Sequence, residues 1–88
     1  MKLILAILRD EDTESVSHGL IVAGFRVTRI ASTGGFLRRG NATMMVGVED
    51  DKLDQAIQVL RENCSPPSDT IQRRATLFVL DVARFDQI

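Results

Sequence analysis

Leu3-Ile4-Leu5-Ala6-Ile7-Leu8, bounded by Arg9-Asp10, is apolar at every position. A run this short cannot cross a membrane as a helix, and no small-residue cleavage site follows it. It reads as a strand buried on both faces. Asp10, Glu11, Asp12 and Glu14 then crowd together, as carboxylates do at a helix start, where they suit the macrodipole. Val16, Leu20 and Ala23 follow at i, i+4 and i+7, one apolar stripe. The stripe is thin, because Ala23 is small and Gly19 adds no side chain. His18 falls on the opposite face and reads as a solvated surface residue. Gly24 sits where a helix C′ residue belongs.

Further along, Phe25 to Ser32 has the composition of a second strand, with Phe25, Val27, Thr28 and Ile30 as strand formers. Its alternation is imperfect, since Ile30 falls out of step with Phe25 and Val27. Thr33 to Asn41 holds Gly34, Gly35 and Gly40 and reads as a loop with unusual backbone geometry. Ala42 to Val48 is predicted as a third strand, apolar on both faces at Met44, Met45, Val46 and Val48. Glu49-Asp50-Asp51 opens a second helix, whose stripe is Leu53, Ala56, Ile57 and Leu60. Pro66-Pro67 forbids its continuation. After a connection from Cys64 to Arg74, Ala75 to Val82 forms the last strand. Leu77 and Val79 lie on one of its faces, and Phe78, Leu80 and Val82 on the other.

The order is strand, helix, strand, repeated once, in 88 residues, which is room for one domain spanning 1–88. It predicts an α+β fold, a ferredoxin-like βαββαβ sandwich with one antiparallel sheet and two helices on one face. Two helices cover only one face of such a sheet. The other face should be polar in a monomer, yet three strands are apolar on both sides. A second chain is therefore expected to cover it.

Composition limits the function. The formal net charge is -1, from 11 Lys+Arg against 12 Asp+Glu, so nothing drives the chain as a whole toward a nucleic acid polymer or an anionic membrane. A single cysteine, Cys64, makes no internal disulfide, which fits a reducing cytoplasmic setting. The only histidine is His18, on a different predicted helix from Cys64, so no Cys–His pair is expected. The two acidic clusters open helices and need no metal to explain them. No Ser–His–Asp order and no general-base histidine accompany the glycine loop, so neither a catalytic residue nor a cofactor is expected.

The segment from Arg26 to Thr43 exceeds structural need. Its glycines let backbone N–H groups approach a phosphate closely. Arg26, Arg29, Arg38 and Arg39 offer guanidinium groups on both sides of the loop, suited to bidentate phosphate contacts. Thr28, Thr33, Asn41 and Thr43 offer neutral hydrogen bonds for a base or ribose, and Phe36 is an aromatic platform. The plainer alternative is a β-hairpin connection with Gly40-Asn41 at the turn and arginines on a wet surface. The pattern matches neither the dinucleotide fingerprint nor the phosphate-loop motif.

At these residues the chain resembles the P-II-like cyclic di-AMP receptors, relatives of the nitrogen-regulatory P-II signal transducers. The resemblance begins at Met1-Lys2-Leu3-Ile4-Leu5-Ala6-Ile7 and is strongest from Phe25 to Thr43, through Thr33-Gly34-Gly35-Phe36-Leu37-Arg38-Arg39-Gly40-Asn41. It resumes at Gly47-Val48-Glu49-Asp50-Asp51 and at Ala75-Thr76-Leu77-Phe78-Val79-Leu80. It implies a homotrimer with ligand clefts between subunits, taking cyclic di-AMP or another adenine nucleotide. It implies that Arg26, Thr28, Gly35, Phe36, Leu37, Asn41 and Gly47 line the ligand, with adenine against Phe36 and Leu37. The downstream protein partner is not named by the sequence.

One departure stands out. Similar family members carry a longer loop before the last strand, ending in Gly-Gly. Here the connection is short and ends in Arg73-Arg74, two guanidinium groups able to pair with phosphates. The nucleotide sensor therefore competes with a trimeric scaffold or regulatory subunit that lost the ligand, and with a small enzyme on the same fold.

Overall fold

The computed structural model describes residues 1–32, 40–65 and 74–88. Four strands and two helices occur in the order β1 (Lys2–Arg9), α1 (Thr13–Val22), β2 (Arg26–Ser32), β3 (Asn41–Val48), α2 (Leu53–Asn63) and β4 (Ala75–Asp81). A short 3-10 turn precedes each helix, Asp10–Asp12 and Asp50–Lys52. The acidic clusters thus form tight turns that feed the helices, and α1 itself starts at Thr13.

The sheet is antiparallel throughout, in the order β2-β3-β1-β4. This is the ferredoxin-like arrangement. The continuous apolar run of β1 takes a central place, with β3 on one side and β4 on the other. Ile4, Ala6 and Leu8 pair with Val46, Met44 and Ala42 of β3, and all six are buried beneath the helices. Val16 and Leu20 of α1 and Ala56 and Leu60 of α2 close that core. Each large side chain there contributes roughly 1.5–3 kcal/mol by leaving water.

The alternate residues point the other way. Leu3, Leu5 and Ile7 of β1 are only half-buried, and β4 presents Phe78 and Leu80 beside them, 53% and 45% exposed. On β3 the same face holds Thr43, Met45 and Gly47, so its apolar character there comes from Met45 alone. Leu77 is on the helix side and packs against the core, as the alternation predicted.

The misfit of Ile30 has a structural cause. Arg29 pairs with Met44 and Ala31 with Thr43, so Ile30 is the extra residue of a β-bulge in the edge strand β2. Its side chain is 51% exposed. Gly24 has φ +94, the left-handed conformation that ends α1 and that other residues adopt at a cost. The alternative of a turn at Gly40-Asn41 does not hold for Asn41, which is the first residue of β3 and pairs with Arg9. Pro66-Pro67 lies outside the described residues, although α2 has already ended at Asn63.

Candidate functional site

Strand pairing builds the site. In the β2–β3 ladder Arg26 lies opposite Gly47 and Thr28 opposite Met45. Val27 and Val46 between them turn toward the helices, so Arg26 and Thr28 stand on the open face. There they line a cleft of about 700 Å³ together with Gly47, Leu3 and Met45. That volume suits a small-molecule ligand. Gly47 keeps the floor low, since a Cβ at that position would lie 3.1 Å from the Met1 methyl carbon.

The far wall is the stretch after β4. Val82 donates its N–H to the Met1 carbonyl at 3.1 Å, which extends the sheet edge by one residue. Arg84, Phe85 and Gln87 then line the cleft. Glu49 and Lys52 close its end. Three cationic side chains, Arg26, Lys52 and Arg84, thus face one carboxylate across a partly apolar floor. The Met1 amine pairs with Asp50 at 2.8 Å and Arg84 with Asp86 at 2.6 Å, so the net surplus rests on Arg26 and Lys52 against Glu49. Hydrogen bonding to Asp50 holds that amine above its usual range and the Asp50 carboxyl below its own.

Arg26, Thr28 and Gly47 are therefore brought together. Asn41 is at the opposite end of β3, six residues from Gly47 and roughly 20 Å away at the usual strand rise. Arg74 donates its guanidinium to the Arg61 carbonyl at 3.5 Å, near the C-terminus of α2, where a cation meets the negative end of the helix. Arg29 turns to the helix side and pairs with Glu14 at 3.3 Å, an exposed contact worth at most about 1 kcal/mol. Gly35, Phe36, Leu37, Arg38, Arg39 and Arg73 lie outside the described residues.

The sequence reading missed two features. One is the C-terminal wall formed by Val82, Arg84, Phe85 and Gln87. The other is Asp12. Grouped with its acidic neighbours, it looked like helix-start electrostatics, but it is 1% exposed. Its carboxylate accepts from Arg9 Nε at 3.2 Å and pairs with a terminal nitrogen of the same guanidinium at 3.1 Å. It also accepts from the Ser65 N–H at 3.1 Å and from the Ser65 hydroxyl.

A model of the cyclic-di-AMP receptor family matches residues 1–74. The chain belongs to that family. Among solved structures it is similar to a functionally unknown protein from Pediococcus pentosaceus, at 28% identity and a TM-score of 0.77. The match covers 99% of this chain and 96% of that one. The cyclic-di-AMP receptor family comprises nucleotide-binding signal proteins and is not an enzyme family. Among the described residues of this receptor-family chain, no three His, Cys, Asp or Glu side chains form a group that could hold a metal. No described helix is long and apolar enough to cross a membrane.

Cys64 is buried just past α2, 8% exposed. Burial pushes its thiol up, and the nearby Asp12 carboxylate acts in the same direction. The thiolate is the reactive form, so the native protein should resist thiol-specific reagents and react fully only when unfolded. Rapid labelling in native buffer, followed by absorbance, would contradict this placement.

Proposed function

We propose that the chain is a cytoplasmic, trimeric signalling module without enzymatic activity. It binds a purine nucleotide, cyclic di-AMP foremost, in clefts between subunits, and passes the signal to a protein partner. The observation that carries this reading is the convergence of Arg26, Thr28 and Gly47 on one cleft with a surplus of cations. Family membership supports the ligand class. The separation of Asn41 from Gly47 along β3 supports the shared cleft: a ligand touching both strand ends is more easily held by two chains than by one. The half-buried apolar residues on the open face support assembly, since a second chain completes their burial.

In this reading the adenine lies against Phe36 and Leu37, stacking on the Phe36 ring, while Arg26 meets a phosphate. Phe36→Ala then removes a stacking face worth roughly 1–3 kcal/mol, a loss of about tenfold to a hundredfold in affinity. Arg26→Gln weakens binding in a way that shrinks as salt rises. Calorimetric titration with cyclic di-AMP, ATP and ADP is the direct test. Silence for all three on a folded trimer would assign the ligand-free scaffold instead. Binding that is indifferent to Phe36→Ala would move the adenine elsewhere.

A further inference from the structure

Arg26 and Arg84 reach the same cleft from the two edges of the sheet. Arg26 is on the edge strand β2, and Arg84 follows the other edge strand, β4. Three strand spacings, roughly 14 Å, separate those backbones, so two inward-reaching arginines leave room for a ligand between them. The floor between them is apolar at Leu3 and Met45. The chain as a whole carries a charge of -1, so the cationic surplus of the cleft is a local feature. Two guanidinium groups on opposite rims of an apolar floor suit a ligand with two separated anionic groups and flat apolar parts. Guanidinium is the side chain that grips phosphate oxygens bidentately.

Arg84 is already engaged. Its Nε lies 2.6 Å from a carboxylate oxygen of Asp86, two residues on, and both side chains are largely exposed, 83% and 55%. Arg26 makes no ion pair among the described residues. An exposed pair of this kind is weak, worth at most about 1 kcal/mol, so a phosphate can displace it. We propose that Arg84 is the second phosphate-binding guanidinium of the cleft, and that Asp86 occupies it as an internal stand-in anion until a ligand arrives. The proposal deepens the nucleotide reading above and rests on it. It adds an affinity-setting exchange: the Arg84–Asp86 pair opens, an Arg84–phosphate pair forms, and Asp86 is released to water.

Calorimetric titration of the full chain with cyclic di-AMP and ADP, at low and at physiological salt, tests it on wild type, Arg84→Gln, Asp86→Asn and the double variant. Arg84→Gln should weaken binding about tenfold to a hundredfold, the loss expected for a hydrogen bond to a charged group, and should flatten the salt dependence. Asp86→Asn should tighten binding by up to about fivefold, the strength of an exposed pair. The double variant should match Arg84→Gln alone, because Asp86 acts only through Arg84. Melting temperatures should be unchanged, since both side chains are exposed. Equal cyclic di-AMP affinity in wild type and Arg84→Gln overturns the inference and leaves the nucleotide reading standing. Wild-type silence to cyclic di-AMP, with ADP binding that Arg84→Gln weakens, overturns the ligand assignment and upholds the role of Arg84. Silence to both overturns the two together. Weaker binding by Asp86→Asn overturns the stand-in role.

Discussion

Phe78→Asp should turn the proposed trimer into a folded monomer, while Leu77→Asp at the neighbouring position should unfold the chain. The two residues are adjacent in β4 and point to opposite faces. Phe78 pairs with Leu5 on the open face and is 53% exposed in the single chain. Leu77 pairs with Ala6 and packs against the core under the helices. A carboxylate at position 78 costs the isolated chain little, on the order of the 1 kcal/mol span of strand preferences. On assembly the same carboxylate would lose its water against Leu5 and whatever apolar surface the second chain supplies. An unpaired buried ion costs several kcal/mol, and a trimer would bury it in every subunit. Micromolar association does not survive a penalty of that size, because each 1.4 kcal/mol is about tenfold in affinity. At position 77 the charge meets the core itself, so folding carries the penalty in the single chain. Sedimentation velocity and circular dichroism on both variants give the answer. A wild-type protein that is monomeric at micromolar concentration would remove the trimer from the proposal, and so would an assembled Phe78→Asp.

That contrast also marks how far the sequence could be read. The alternation of Leu77, Phe78, Val79 and Leu80 assigned both faces of β4 correctly, because a strand's side-chain period is two and admits no slip. The unbroken run from Leu3 to Leu8 marked a strand apolar on both faces, but its central place came only with the pairing to β3 and β4. Ile30 was visible as a misfit, and the misfit was real: a bulge adds one residue, and everything after it changes face. Local patterns were less able to reveal the site. Arg26 and Gly47 are far apart in the chain, and only the β2–β3 register sets them opposite each other. The C-terminal wall follows no helical or strand period, so Arg84 and Phe85 gave no signal that a pattern search weighs. Asp12 was hidden for a different reason. A carboxylate at a helix start already has one sufficient explanation, and burial is invisible until the chain folds around it. Arg9, three residues earlier and the last residue of β1, was the clue to its partner.

Asp12 should be the polar residue on which stability depends most. Its carboxylate is 1% exposed and the Arg9 side chain 18%, so among the described residues this pair is shielded, whereas the Arg9–Glu11, Lys2–Asp81, Arg29–Glu14 and Arg84–Asp86 pairs each have a largely exposed carboxylate. Arg9 also donates to the Ser65 carbonyl at 2.7 Å. The two side chains therefore fasten the end of β1 to the segment that leaves α2. Asp12→Ala leaves a shielded guanidinium, a backbone N–H and a hydroxyl without their shared acceptor. Breaking a buried pair from one side costs about 3–5 kcal/mol. Small domains have only about 5–15 kcal/mol in total, so the variant should sit near the edge of folding. Asp12→Asn keeps the shape and one acceptor oxygen and should lose less, roughly 1–3 kcal/mol. Replacing both partners, Arg9→Met with Asp12→Leu, should recover much of the loss, because no orphaned charge remains. Urea unfolding of the four proteins at one fixed protein concentration closes a double-mutant cycle, and fixing the concentration keeps assembly from distorting it. A loss under about 1 kcal/mol for Asp12→Ala would mean that water reaches the site and that the pair behaves as a surface one. A double variant no better than Asp12→Ala alone would place the cost in lost packing at position 12 rather than in an uncompensated charge.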